Sequence, residues 1–171
     1  LKHEGEPVMR KLRVGLGSAI CLLGLAAPGV SEDAVWSSGP MAMSAAAVRS
    51  VLEDVALDVS GAEGQFVAKY RNVRILVYAN ERHGRMRIAT PVAAAHDMPL
   101  DELRLLLEAN YSRALDARYA IGDGVVWALF IRPMDGLDRQ TFLDGADQVV
   151  SLKRTFGTSY RSTDLTFGRL P

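Results

Sequence analysis

Acid–base and metal chemistry need imidazoles, thiols or carboxylates at spacings that a fold can bring together. Beyond residue 31 the chain has two histidines, His83 and His96, thirteen residues apart. Neither has a second histidine or a glutamate four residues away, so no helix presents a ligand pair. His83 beside Gly84 reads as a turn residue, and His96 as a residue ahead of a helix. No metal is expected. Asp116, Asp123, Asp135 and Asp138 cluster in sequence, and paired carboxylates can do acid–base work when two converge in a cleft. Each also has a local use, as helix exit, turn, turn and helix N-cap respectively. The run Asp135-Gly136-Leu137-Asp138 lacks the dense ligand series of a calcium loop. There is no Gly-x-Ser-x-Gly and no phosphate-cradling glycine loop, and the single cysteine is Cys21. No catalytic residue and no cofactor is expected. Asp123, Asp135 and His96 are the groups that an alternative, a small hydrolase or ligand-binding protein, would use.

Two other features bear on binding. Arg71, Arg74, Arg82, Arg85 and Arg87 fall on adjoining segments, and the period-two rule places Arg85 and Arg87 on one sheet face. A strip containing Arg74, Arg85 and Arg87 can attract phosphate, lipid headgroups or an acidic partner, or can simply be a solvated outer face. The run Val125-Val126-Trp127-Ala128-Leu129-Phe130-Ile131 is apolar on both faces. Trp127, Leu129 and Ile131 share one face, and Val126, Ala128 and Phe130 share the other. A strand of this kind needs cover on both sides, which makes Trp127, Leu129, Ile131 and Phe130, with Tyr111, the partner-binding candidates.

The elements that hold these residues follow from periodicity. Met43, Ala47, Val51, Val55 and Val59 recur every four residues and predict a helix from Met41 to Val59, ended by Gly61 and Gly64. Alternating runs around Phe66–Tyr70, Val73–Asn80 and Arg85–Thr90 predict three strands in an antiparallel meander. Asp97-Met98-Pro99 offers an N-cap and a first-turn proline for a helix over 99–115. Arg118–Ile121, Gly122-Asp123-Gly124 and Val125–Arg132 read as a hairpin. A last helix is capped by Asp138, with an apolar face on Phe142, Ala146, Val149 and Lys153, and ends at Gly157. The expected fold is α+β, in the order α–β–β–β–α–β–β–α, with helices on a five-stranded antiparallel sheet. It spans residues 41–157, with a polar tail over 158–171.

The 171 residues balance 20 basic against 20 acidic side chains, which leaves no general positive field and no reason to expect a nucleic-acid partner. The balance is an average. From Met9 the chain runs MRKLR, then fourteen uncharged residues from Val14 to Ala27, then small residues. That order predicts a secretory signal peptide over residues 9–31, cleaved near Ser31, and a periplasmic or secreted protein that meets the membrane only during export. Fourteen residues are too few for a comfortable span. Residues 1–8 read as an upstream extension, and Cys21 as an apolar filler within the signal. From Glu32 onward there remain 140 residues, 16 basic and 18 acidic, without cysteine.

Residues 107–157 resemble the bacterial YbjN-like domain, of the type III secretion chaperone-like fold group. The likeness rests on Asn110 at a helix end, the Asp123-Gly124 turn, the apolar strand after it, and a helix opening near Leu137–Phe142 and closing near Phe156-Gly157. With the matching element order it covers about residues 42–157. It implies a small, mostly non-enzymatic domain, often dimeric, with no catalytic residues to transfer; chaperones of the group bind extended segments of effector proteins. An export signal does not fit a cytoplasmic secretion chaperone. The expectation is therefore a homodimer that binds a protein or peptide partner.

Overall fold

The structure, a computed structural model, describes residues 43–167; the expected signal peptide lies outside the described residues. Ser44 opens α1 (Ala45–Val55), its hydroxyl accepting from the Ala47 N–H at 3.1 Å, while the Glu81 carboxylate accepts from the Ala45 N–H at 2.7 Å. The helix stops four residues before the periodicity expects. Ala56 is already extended, and Asp58 sits at φ 54°, so the backbone leaves the helical region.

The next segment corrects the expected strand count. Leu57–Ala62 is a strand, β1, and among the described residues the sheet has six strands. Its outward position explains why periodicity does not reveal it: five of its six residues are exposed, so no alternation of apolar and polar residues marks it. Val59, placed on the helix stripe by spacing, packs on the core from this strand. The chain then turns tightly into β2 (Gln65–Tyr70) through Gly64, at φ 77°, where a Cβ would collide with the Ala79 carbonyl oxygen. Only glycine fits there.

β3 (Val73–Asn80) follows a turn in which Arg71 and Asn72 both have positive φ, the pairing a two-residue hairpin needs. One 3₁₀ turn leads to β4 (Arg85–Ala94), then come α2 (Leu100–Ser112), β5 (Arg118–Gly122), β6 (Val125–Pro133) and α3 (Arg139–Thr155). The sheet is antiparallel, in the order β1-β2-β3-β4-β6-β5. Asp138 caps α3 as expected, accepting from the Thr141 N–H at 2.7 Å. Asp97 does not cap α2: Pro99 holds that position without a side-chain bond, and Asp97 pairs with His96 at 3.1 Å.

The helices cover one side of the sheet. Phe66, Ile75, Val77, Met86, Ile88, Val126, Ala128 and Phe130 point into the core with Phe142, Val149 and Leu152 of α3. Gly145 lets α3 settle directly onto the sheet, since a Cβ there would lie 2.5 Å from the Phe130 ring. Beyond α3, Tyr160 and Ser162 are buried, and Tyr160 forms an edge-to-face cluster with Tyr119 and Phe156. The part of the tail through Ser162 thus joins the packing.

Candidate partner-binding surface

Among the described residues, no helix covers the other side of the sheet. The strand registers set its side chains in cross-strand rows: Val67–Leu76–Ala89–Leu129–Arg118, then Gln65–Tyr78–Arg87–Ile131, then Asn80–Arg85. Trp127 stands beside Ala120 in the row next to Leu129. Its indole N–H donates to the Gly122 carbonyl at 3.1 Å, which fixes the ring against the β5–β6 turn. The floor of this face is therefore apolar, with Leu76, Leu129 and Trp127 half-buried and Tyr78 and Ile131 40% and 47% exposed. It forms a shallow concavity of about 810 Å³ over β3, β4, β6 and β5. Three of the expected partner-binding residues, Trp127, Leu129 and Ile131, line it together.

Two do not. Phe130 is 1% exposed and faces Gly145 of α3, so it belongs to the core and not to the partner-binding set; its row neighbour Ile88 and the helix above it decide this. Tyr111 is 59% exposed, but it stands on α2, away from the concavity. There it completes a stripe with Leu100 and Leu107, each about two-thirds exposed, on the side of α2 opposite the buried Leu106 and Ala109.

Arg74, Arg85 and Arg87 are all exposed on the open face, as the strand period expects; Lys69 is exposed beside them, and Arg118, half-buried at the margin, donates its guanidinium to the Leu115 and Ala117 carbonyls. None of Arg74, Arg85 and Arg87 is ion-paired among the described residues. The cross-strand rows contain no carboxylate; among the described residues Asp123, at the turn, is the one acidic side chain bordering the concavity. Arg71 parts company with the strip. It bonds Asp147 at 2.8 Å, lies over the Tyr70 ring, and receives the Arg154 guanidinium on its carbonyl. Lys69 and Arg118 are positions that strand register alone adds, because each pairs with a residue already on the face.

The groups that a catalytic site would use are scattered. Asp123 and Asp135 flank the two ends of β6, a strand of 9 residues, which separates them by about 25–30 Å. His96 and Asp97 are 76% and 72% exposed. Every buried side-chain nitrogen and oxygen among the described residues has a hydrogen-bond partner. Gln148 accepts from the Asp116 and Ala117 N–H groups, and Asn110 both accepts from the Tyr119 N–H and donates to its carbonyl, sealing part of the β5 edge. Burial raises the Tyr119 phenol well above its ordinary range, and its hydroxyl donates to the Leu152 carbonyl at 2.7 Å, a packing role. Among the described residues no cluster of three metal-ligating side chains occurs, and no helix is long and apolar enough to cross a membrane.

No protein-family model and no curated protein matches the chain. Its structural neighbours include type III secretion chaperones. The chain is similar to the ExsC–ExsE complex at 14% identity and a TM-score of 0.49, over 66% of this chain and 95% of that one. It is similar to the Yersinia pestis type III secretion chaperone SycH, solved with a stable fragment of YscM2, at 13% identity and 0.48, over 64% and 98%. The ExoU–SpcU complex of the Pseudomonas aeruginosa type III secretion system gives 15% identity and 0.47, over 64% and 93%. Likenesses of this depth describe a partial correspondence of chain path.

Proposed function

We propose that the protein is an exported, non-enzymatic domain that binds a polypeptide partner on the open face of its sheet, and that it does so as a homodimer. The observation that carries this reading is the apolar floor built by Leu76, Leu129, Trp127 and Ile131 in the middle of a sheet whose opposite side is already sealed by helices. An apolar surface of this kind, set in a concavity and rimmed by charge, is a binding surface in a protein that must stay soluble. The separation of Asp123 from Asp135 and the exposure of His96 support a non-enzymatic role. Export rests on the cationic start and uncharged run of residues 9–31.

The homodimer contact is the α2 stripe of Leu100, Leu107 and Tyr111. Arg104 and Glu108 flank it on the same helix, so an isologous antiparallel pairing sets Arg104 of each copy against Glu108 of the other. Selection of 15-residue peptides from a random display library on the full chain, repeated on Trp127→Ala, tests the open face. Peptides whose binding drops about tenfold or more in the variant support it, and a selection yielding none overturns it. Light scattering tests the dimer: Leu107→Glu together with Tyr111→Glu should give a monomer that still binds the selected peptides.

A further inference from the structure

The partner's chemistry is written in the charges around the apolar floor. Lys69 and Arg74 stand along one side of it, Arg85 and Arg87 at another, and Arg118 at the β5 margin. Leu76, Ala89 and Leu129 lie between them in a single row. Neighbouring side chains on one face of a strand are about 7 Å apart, so Arg85 and Arg87 match residues i and i+2 of an extended chain laid along β4. We infer, resting on the polypeptide-binding reading, that the open face takes an extended acidic segment whose sheet-facing side chains, at every second residue, are Asp or Glu opposite the arginines and apolar opposite the floor. The apolar residues sit on Leu76, Leu129 and Trp127, while the carboxylates pair with Arg74, Arg85 and Arg87.

Three facts favour this occupant over others. Exposed guanidiniums without carboxylate partners among the described residues supply charge-assisted, bidentate sites that match a carboxylate. A second copy of the same face would bring five cations against five, and like charges across an interface are penalised. A flat bilayer surface suits protruding apolar side chains. Here Ala89 is 6% exposed and Trp127 and Leu129 are half-buried on the floor of a hollow.

The same peptide selection decides the matter when the composition of the selected peptides is read. Enrichment of Asp or Glu at alternate positions is expected, with affinity falling about tenfold or more in Arg85→Glu plus Arg87→Glu and falling steeply with salt. Selected peptides that are neutral or basic, or that bind the double variant equally well, overturn the inference while leaving the polypeptide-binding reading intact. A selection that yields no Trp127-dependent peptide overturns both. Sedimentation with vesicles of phosphatidylcholine containing phosphatidylglycerol provides the other arm: Arg85- and Arg87-dependent vesicle binding without acidic peptide binding assigns the face to a membrane and overturns the inference. A dimer that dissociates on Ile131→Ser assigns it to a second copy, with the same consequence.

Discussion

Strand β6 presents two surfaces of nearly equal hydrophobicity, and they have opposite fates. On one, Val126, Ala128 and Phe130 are 0–1% exposed beneath α3. On the other, Trp127 and Leu129 are half-buried and Ile131 is 47% exposed, with neighbouring strands and arginine stems the only described cover beside them. The difference lies in neither strand nor residue class; it lies in the helix packed on one face, whose close approach is permitted by Gly145. Because this position has no side chain, α3 approaches closely enough to cap Phe130, and among the described residues no helix does the same for Trp127. Apolar alternation therefore shows that two faces need cover, while the placement of helices shows which face finds it among the described residues.

The contrast makes ordered predictions. Phe130→Ala removes a ring from the sealed side and should lower stability by about 3–5 kcal/mol in urea denaturation, through lost burial and the cavity left behind. Gly145→Ala should cost about 1–3 kcal/mol, because the new Cβ meets the Phe130 ring at 2.5 Å and the helix must shift. A neutral Gly145→Ala would mean that α3 does not sit as closely as the account requires. The open side should respond far less in stability and far more in binding.

Much of this was legible in the chain itself. The helix of Phe142, Ala146 and Val149, its Asp138 cap, the meander strands and the Asp123-Gly124 turn all follow from period and turn chemistry. The shared face of Trp127, Leu129 and Ile131 follows from a period of two. Three features did not yield to that reasoning. β1 is an edge strand with almost no buried residues, so it carries no alternation, and Val59 fits a helix stripe equally well. Phe130 differs from Ile131 only in what packs above it, a tertiary fact. Tyr160 and Ser162 lie in a polar stretch whose packing depends on Arg113, whose carbonyl accepts from the Ser162 N–H at 3.3 Å across nearly fifty residues. The open face's basic rim was visible in part: Arg74, Arg85 and Arg87 stand on recognisable strands, whereas Lys69 and Arg118 needed the register.

The most direct test of the central claim is a paired measurement on Ile131→Ser: unfolding free energy, and affinity for an acidic peptide selected on the unaltered protein. The account predicts a loss of stability of no more than about 1 kcal/mol, the span of strand propensity, with affinity reduced about tenfold or more. A stability loss as large as that of Phe130→Ala, with affinity unchanged, would show that the open face is a second half of the core and contradict its role as a docking surface.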